Sequence, residues 1–455
     1  MKAGKAVLSA GICALALAFA PVLAFAATPN DPLYSQQWAL SGSTPSINIG
    51  PAWCASVGNV LVADVDTGAD FNHADLAGKL VPGAAFLGGN GAQTGSGPGA
   101  VQDDNGHGTM TAGIMVADTN NGVGIAGVAP AARALIVKVL KNDSSGTATG
   151  SATDVAAGID YASTYPGVKV INLSIGSDTP GILNSLLGGP NPILPAIDRA
   201  IQRGVMVSAA AGNTSGAQSD YASKQGEALV VGALGRAGTV ASYSSMGNIY
   251  APGGDSGGTM TPAVSIVSTT LGNAYAAGDG TSFAAPQVAG ITALLMAKGY
   301  SAAGARQQIL NTAVTQTNWP SADAAQALGL ADSAPTCAPG AAGAGVGTAP
   351  PVRPASPKAR PPAAPAQAPA AVPVAPSPSP SDSPSPDPTP SPADPPPAVS
   401  GVLAARTTDP ATGVYSILGL TFRADVAPWL LAAATVVGAA AGYGALFYFR
   451  VASRH

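Results

Sequence analysis

The sequence is poor in charged residues, histidine and cysteine. Only 10% of its 455 residues are Asp, Glu, Lys or Arg, and the net charge is -4. Without a basic cluster, this composition argues against nucleic-acid binding. There are three histidines and three cysteines, and no Cys-x-x-Cys or His/Cys group that would indicate a zinc site. The chain therefore offers few histidines as a catalytic base, and each can be considered in turn.

The first 26 residues have the features of a secretory signal peptide. Lys2 and Lys5 precede an apolar stretch, and the small-residue sequence "AFA" ends the segment at 24–26. We therefore expect a signal peptide over 1–26 and an exported chain that begins near Ala27.

The C-terminal third predicts a membrane tether. The uncharged segment 428–449 is long enough to cross a bilayer as a helix at about 1.5 Å per residue. Arginines in the tail, 450–455, favour a cytoplasmic C terminus and an extracellular location for everything before the helix. Pro, Ala and Ser repeats fill 338–399, which predicts a disordered stalk. The juxtamembrane segment 400–427 is too mixed in sequence for a structural prediction.

Two cysteines remain after signal-peptide removal. Cys13 leaves with the signal peptide, whereas Cys54 and Cys337 lie near the two ends of the predicted domain at 27–337. In an oxidising exterior they form either a disulfide or two buried thiols.

Within that domain, short apolar runs alternate with helix-like segments. The runs are "VLVADV" at 60, "ALIVKVL" at 134, "VKVINLS" at 168, "VMVSAAA" at 205 and "ALVVGAL" at 228. This alternation indicates βαβ units, so we expect an α/β fold with a doubly wound, mostly parallel sheet and helices on both faces. Active groups then lie at the carboxyl ends of the strands.

The stretch "GTSFAAPQVAG" at 280–290 predicts a helix that begins at Ser282, preceded by a turn and an N-cap at Gly280 and Thr281. Pro286 is compatible only with a position near the helix start. The ordinary interpretation of Ser282 is helix capping, and the alternative is a nucleophile that needs a nearby base.

Elimination among the histidines identifies a candidate base. His455 lies beyond the predicted membrane helix and His73 lies in a predicted loop, whereas His107 lies between two glycines at a helix start. Asp66, at the end of the first strand, is placed to orient the imidazole. The side-chain amide of Asn213 and the N–H of Ser282 are candidate donors to an oxyanion.

Four motifs occur together: "DTG", "GHGT", "AAGN" and "GTSFAAP". With the order Asp, His, Ser, they resemble the subtilisin-like serine peptidases over residues 30–333. The stretch "NDPLYSQQW" is similar to the start of mature thermitase-like enzymes. The resemblance implies a triad of Asp66, His107 and Ser282, an oxyanion hole completed by Asn213, and a substrate-pairing edge that contains Ser174, Ile175 and Gly176.

The resemblance also implies a structural Ca²⁺ ion. In thermitase-like enzymes three stretches bind one ion together, and their counterparts here are Asp31, Asp75 and the 118–125 loop. The implied ligands in that loop are the Asn121 side chain and the carbonyl groups of Asp118, Val123 and Ile125. A set of oxygen ligands suits Ca²⁺.

Some residues depart from the family pattern. Met110, Ala285 and Gln287 replace the usual His, Thr and His next to the motifs, and Ala222 replaces a frequent proline near the substrate pocket. Asp64 stands where the family has an aliphatic residue, on the same strand face as Asp66. A second carboxylate there would affect the protonation of its neighbours.

These features together predict a membrane-anchored extracellular serine endopeptidase that hydrolyses protein or peptide substrates through an acyl-enzyme. The alternative is an inactive or specialised subtilisin-like module that acts in a secretion complex, as mycosins do.

Overall fold

A computed structural model of the full chain describes residues 28–40, 45–176, 191–316 and 318–339, together with four short strands further on. The predicted signal peptide and residues 340–399 of the predicted stalk lie outside the described residues. Two compact units are distinguished, of which the first contains the large sheet and the second spans Gly345–Ala445.

The described α-helices all belong to the first unit. They are α1 (Ile49–Ala55), α2 (His107–Val116), α3 (Ala152–Thr164), α4 (Ile193–Gln202), α5 (Thr281–Ala297), α6 (Ala302–Asn311) and α7 (Ala324–Ala327). Short 3₁₀ turns occur at Tyr34–Gln36, Ala74–Leu76 and Ala222–Lys224.

The strands of the first unit lie between and after these helices. They are β1 (Leu61–Asp66), β2 (Leu80–Ala85), β3 (Gly95–Ser96), β4 (Arg133–Lys138), β5 (Lys141–Asn142), β6 (Ala148–Ser151), β7 (Val168–Leu173), β8 (Met206–Ala210), β9 (Leu229–Leu234), β10 (Ile249–Pro252), β11 (Ile266–Thr270), β12 (Ala274–Gly278), β13 (Val314–Gln316) and β14 (Trp319–Ser321).

Ten strands form one sheet in the order β13-β14-β10-β9-β8-β7-β1-β4-β2-β3. The pairings from β14 to β2 are parallel, and an antiparallel pair closes the sheet at each edge. The five predicted strands are β1, β4, β7, β8 and β9, which lie in its centre. The expected mostly parallel sheet is therefore confirmed.

Helices cover both faces of this sheet, as expected. Helices α2 and α5 contribute to one buried apolar cluster, and α3 and α4 contribute to a second. Because both faces are covered, the central strands are almost wholly buried and are rich in Val, Ile, Leu and Ala.

This topology gathers the carboxyl ends of three neighbouring strands. β1 ends at Asp66, β7 ends at Leu173 just before Ser174, and β8 ends at Ala210, three residues before Asn213. Since β1, β7 and β8 are neighbours in the sheet, the residues that follow them lie along one edge.

A disulfide joins Cys54 of α1 to Cys337, at a sequence separation of 283. Of the two alternatives that the sequence left open, the structure contains the disulfide. It ties the end of the domain, next to the predicted stalk, back to the first helix.

Strand structure also occurs in regions for which the sequence predicted none. β15 (Arg406–Asp409), β16 (Val414–Ile417) and β17 (Leu420–Arg423) form an antiparallel sheet within the predicted juxtamembrane segment. A last strand, β18 (Tyr448–Arg450), pairs with β6.

The predicted membrane helix at 428–449 falls outside the described residues except for its last two positions. Those two, Tyr448 and Phe449, lie in β18 and not in a helix, in keeping with the strand preference of aromatic residues. In the parts of the chain that the structure describes, no helix has the length and apolar character needed to cross a bilayer.

Candidate active site

Helix α5 places Ser282 in its first turn. The helix begins at Thr281 with Gly280 as its N-cap, one residue earlier than the sequence predicted. The Thr281 N–H and hydroxyl both donate to Asn213 Oδ1, at 3.0 and 2.9 Å. Thr281 is therefore the first residue of the helix and is bonded to Asn213, and Gly280 occupies the N-cap position.

Pro286 lies inside α5 and leaves the Ser282 carbonyl without its usual intrahelical donor, because proline has no N–H. Ser174 Oγ replaces that donor and hydrogen-bonds to the Ser282 carbonyl at 2.9 Å. The proline is thus tolerated because the residue after β7 supplies the missing bond, which also fixes the turn that carries Ser282.

His107 is the first residue of α2, and its side chain is paired with that of Asp66. The distance from His107 Nδ1 to Asp66 Oδ1 is 2.8 Å, and each side chain is only 1% exposed. Asp66 Oδ1 also accepts the N–H of Thr67 at 2.7 Å. A carboxylate at Nδ1 favours the tautomer that leaves Nε2 free to accept a proton.

Local backbone conformation explains why α2 begins at His107. Gly106 has φ +102°, which favours glycine, and caps the helix. A Cβ on Gly108 would lie 2.1 Å from the carbonyl oxygen of Gly68, so only glycine lets the helix approach the turn after Asp66 this closely. The two glycines that flank His107 therefore bring it to Asp66.

Asp103 is a structural residue that the sequence analysis missed. Its Oδ1 accepts the N–H of Gly106 at 3.0 Å, and its Oδ2 accepts the Thr109 N–H at 2.9 Å and the Thr109 hydroxyl at 2.6 Å. Burial opposes ionisation of Asp103, but hydrogen bonds from Thr109, Asn105 and Gly106 outweigh it and lower its pKa. The sequence signal that could have indicated this role is an acidic residue just before "NGHGT", where its carboxylate can accept N–H groups at the start of α2.

Ser282 Oγ and His107 Nε2 are buried, and neither has a hydrogen-bond partner among the described residues. They therefore share no hydrogen bond with each other. The His107 ring packs against Phe283, with 5.7 Å between ring centroids, which places the imidazole beside the start of α5. Hydrogen bonds between catalytic groups are often long without substrate and shorten when it binds.

Asn213 lies close to Ser282, on the other side of the Gly280 cap. A Cβ built on Gly280 would be 2.8 Å from Ser282 Oγ and 3.6 Å from Asn213 Nδ2. Asn213 Oδ1 accepts two hydrogen bonds from Thr281, which fix the side-chain amide close to the start of α5. The geometry provides a fixed amide donor next to the hydroxyl.

The predicted substrate-pairing residues directly follow β7. Ser174 is turned inward to the Ser282 carbonyl, and Ile175 is fully buried. The Ile175 carbonyl accepts the Tyr221 hydroxyl at 2.7 Å, which anchors this edge from below. Gly176 is half-buried, and a Cβ there would contact the Cα of Gly212 at 3.6 Å.

The departures from the family motifs are accommodated in the core. Met110 and Ala285 are buried, and Gln287 donates to the carbonyl groups of Pro252 and Phe283 at 2.6 and 2.9 Å. Ala222 begins the 3₁₀ turn that follows Tyr221.

Asp64 is a buried carboxyl group two residues before Asp66 on β1. It is 1% exposed and hydrogen-bonds with Thr111 at 2.8 Å and with Asn172 at 2.9 Å. Burial, and then the charge of Asp66, raise its pKa well above 3.8. The sequence predicted that a second carboxylate would affect the protonation of its neighbours; in the structure, the pKa that is raised is that of Asp64 itself.

The residues implied in calcium binding converge as well. Asp31 accepts the N–H groups of Asn120 and Asn121, at 2.8 and 3.1 Å. Asp75 accepts the N–H of Ile125 at 2.9 Å and the Asn121 side-chain amide at 3.2 Å.

Other atoms of the same loop face different partners. Asn121 Oδ1 accepts the N–H of Val123, and Asp118 pairs with Lys79 at 2.9 Å. In the described part of the chain, no group of three or more His, Cys, Asp or Glu side chains is arranged to hold a metal ion.

Burial and, to a smaller extent, charge repulsion raise the pKa values of the Asp31 and Asp75 carboxyl groups. Burial, with a smaller effect from Asp31, raises the pKa of Asp75 to about 6. Burial, with a smaller effect from Asp118, raises the pKa of Asp31. Closely placed carboxyl groups with raised pKa values are the donor set that a divalent cation would stabilise.

A buried Asp–His pair beside a serine at a helix start, on a doubly wound sheet, defines the class of serine hydrolases. The family model for the subtilases (Peptidase S8) matches residues 58–340, and the chain belongs to that family. It is a serine endopeptidase. The family resemblance drawn from the four motifs is thereby confirmed.

Relatives and a solved structure agree with this assignment. Thermitase from Thermoactinomyces vulgaris is 37% identical over 287 residues, which cover 63% of this chain and 91% of thermitase. A Xanthomonas campestris pv. campestris protein named extracellular protease is 34% identical over 298 residues, covering 59% of this chain and 49% of that protein. The structure of a Pseudoalteromonas arctica protease aligns with a TM-score of 0.56 and 28% identity, covering 67% of this chain and 99% of its own.

Proposed function

We propose that Asp66, His107 and Ser282 form a catalytic triad that hydrolyses peptide bonds. The observation that carries the proposal is the buried His107–Asp66 hydrogen bond of 2.8 Å next to the start of α5. Ser282 Oγ attacks the peptide carbonyl and gives its proton to His107 Nε2, and Asp66 stabilises the resulting imidazolium through Nδ1. His107 then protonates the leaving amine. In the second half of the reaction, water gives a proton to His107 and attacks the acyl-enzyme, and His107 returns that proton to Ser282 Oγ as the acid product leaves.

Asn213 is the side-chain donor to the oxyanion in this mechanism. Negative charge develops on the substrate oxygen during attack, and fixed donors in a water-poor site stabilise it. The Nδ2 group of Asn213 and the N–H of Ser282 supply two such donors, and Gly280 provides the space between them. Ser174, Ile175 and Gly176 then pair with the substrate backbone beside this site.

Kinetics of single and double variants test the triad. Ser282→Ala and His107→Ala should each remove nearly all peptidase activity, and the double variant should be little worse, because the residues act as a unit. Ser321→Ala is a matched control, since it also removes a buried hydroxyl that has no partner in the described structure. Retained turnover in Ser282→Ala, or an equal loss in Ser321→Ala, would rule out this assignment.

We also propose that Asp31, Asp75 and the 118–125 loop hold a structural Ca²⁺ ion. The support is the convergence of these stretches and the raised pKa values of the two aspartates. Asn121 and the carbonyl groups of Asp118, Val123 and Ile125 are the other proposed ligands. The ion would add stability by neutralising buried carboxylates and takes no part in the chemical steps.

The third proposal concerns location: the catalytic domain is extracellular and is anchored by a single C-terminal membrane helix. It is supported by the signal-peptide features of 1–26, the uncharged segment 428–449 and the basic tail at 450–455. It also requires that the pairing of β18 with β6 is absent when 428–449 crosses the membrane. The name of the Xanthomonas relative, extracellular protease, agrees with an exported domain. The substrates in this proposal are proteins or peptides outside the cell.

A further inference from the structure

Asp64 is a buried carboxyl group that the proposed mechanism does not use. It lies two residues before Asp66 on β1, and hence on the same face of the strand, and it is 1% exposed. Its register partners on the neighbouring strands are Ile136 and Asn172, which carry no charge. In the described part of the chain Asp64 forms no salt bridge, although an unpaired buried charge is costly.

The hydrogen bonds around Asp64 place its proton. Asn172 Nδ2 donates to Asp64 Oδ1 at 2.9 Å. Thr111 Oγ1 lies 2.8 Å from Asp64 Oδ2 and 3.0 Å from the Gly108 carbonyl oxygen, yet a hydroxyl has only one hydrogen. With a proton on Oδ2, Asp64 donates to Thr111 and Thr111 donates to Gly108, so every group in the set has a partner.

The charged groups near Asp64 also favour its neutral form. Asp66 on the same strand and Asp103 before α2 are both carboxyl groups that repel a charge on Asp64. His107 lies one helical turn before Thr111 and is paired with Asp66. Burial and the charge of Asp66 raise the pKa of Asp64 well above 3.8, which agrees with the proton placement from hydrogen bonding.

A second branch of the network reaches the nucleophile. Asn172 Nδ2 also donates to Ser174 Oγ at 3.0 Å, and Ser174 donates to the Ser282 carbonyl at 2.9 Å. That carbonyl is free because Pro286 has no N–H. Asp64 therefore connects the first turn of α2, through Thr111 and Gly108, with the first turn of α5.

We propose that Asp64 is a positioning residue, held as a neutral acid, that joins the turn carrying His107 to the turn carrying Ser282. It acts through Thr111 on one side and through Asn172 and Ser174 on the other, and it adds no negative charge beside His107. The inference rests on the proposed catalytic roles of His107 and Ser282.

Two substitutions in the full-length protein separate positioning from charge. Asp64→Asn keeps a donor toward Thr111 and an acceptor for Asn172, so it should retain most of kcat and leave the acidic limb of kcat/KM against pH in place. Asp64→Val removes both bonds and should lower kcat by about 10- to 100-fold with little change in KM. Active-site titration corrects each rate for the folded fraction.

Two outcomes would overturn the proposal. An acidic limb that moves to lower pH by more than about half a unit in Asp64→Asn means that Asp64 is ionised, because loss of a negative charge disfavours protonated His107. Unchanged kcat in Asp64→Val means that the bonds do not position the triad. If Asp64→Val does not fold, Thr111→Val removes the branch to α2 alone and should show part of that loss of kcat; unchanged kcat in Thr111→Val would then overturn the proposal.

Infrared difference spectroscopy tests the proton without relying on activity. In a Ser282→Ala background, Asp64→Asn should remove the carbonyl stretch of a protonated carboxylic acid, which is separate from carboxylate bands. Asp154→Asn, a change at another buried carboxyl group, should leave that band in place. Loss of carboxylate bands alone in Asp64→Asn contradicts the proposal, and this result stands whether or not the chain is an active peptidase.

Discussion

Calcium should matter most to stability at neutral pH, because that is where Asp75 is ionised. Asp75 is fully buried, and its pKa is raised from 3.8 to about 6. A group with a folded-state pKa above its unfolded value stabilises the fold below the unfolded pKa, and that stability is lost as pH rises through the folded pKa. The ion-free protein should thus lose up to about 3 kcal/mol between pH 4 and pH 7 from this residue.

A bound cation offsets this loss, because it stabilises the ionised carboxylates of Asp31 and Asp75. An ion at about 100 times its Kd adds roughly 2.7 kcal/mol if it binds only the folded state. We therefore expect calcium to raise the melting temperature clearly at pH 7 and much less at pH 4.5, where Asp75 is protonated.

The assay is thermal unfolding of the purified chain with chelator or with calcium at each pH. A Ser282→Ala background prevents self-digestion during the measurement. Asp75→Asn should remove most of the calcium response and should flatten the pH dependence of the ion-free protein. Asp154→Asn, which changes a buried carboxyl group that binds the N–H groups of Gly89 and Gly91, is the matched control and should keep the calcium response.

Identical melting curves with chelator and with calcium at pH 7 would refute the calcium site. A calcium response that survives in Asp75→Asn would show that any ion binds elsewhere. Stability that rises from pH 4.5 to pH 7 without calcium, in the Ser282→Ala background but not in Asp75→Asn, would contradict the direction of the Asp75 pKa shift.

Three further predictions follow from other parts of the molecule. Asn213→Ala should lower kcat by about 10²- to 10³-fold with a small effect on KM, measured with a peptide substrate, and equal losses in binding and turnover would contradict an oxyanion role. Replacing Cys54 and Cys337 by Ala should destabilise the domain by up to about 5 kcal/mol, because the disulfide closes a very long loop in the unfolded chain; an unchanged melting temperature would show that it adds no stability. Mild external proteolysis of intact cells should release an active fragment that ends within 338–399, and a domain protected until lysis, or still membrane-bound after truncation before Pro428, would refute the tether.

The central sheet could be predicted from the sequence because its strands are buried on both faces. Apolar runs such as those at β4 and β9 stand out from the segments between them, and the parallel order follows from the helices that separate them. His73, which elimination among the three histidines set aside as a base, has both ring nitrogens bonded to backbone groups, those of Asp75 and Ala274.

What the sequence could not provide are contacts between residues far apart in the chain. The bond from Ser174 to the Ser282 carbonyl joins positions 108 residues apart, and it is this bond that makes Pro286 tolerable within α5. Likewise, Thr281 was predicted to be an N-cap because local preference favours it, but Asn213 engages its side chain and backbone. The order of the strands in the sheet brings Ser174 to Ser282 and Asn213 to Thr281, and this order cannot be read from local sequence patterns.

The proton position on Asp64 also required the structure. From the sequence, Asp64 was only a second carboxylate near Asp66, and its effect was expected on the neighbouring groups. Its hydrogen-bond partners are Thr111 on α2 and Asn172 on β7, and burial and the charge of Asp66 raise the pKa of Asp64 itself.

Labelling with a fluorophosphonate probe tests most directly whether Ser282 is an activated nucleophile. The probe reacts only with a serine whose hydroxyl is activated by a base and whose oxyanion donors are in place. We predict a single labelled peptide that contains Ser282, with labelling abolished in Ser282→Ala and nearly abolished in His107→Ala, while Ser321→Ala is labelled like the wild type. An unlabelled wild-type chain, or label that persists in Ser282→Ala, would contradict the proposed triad.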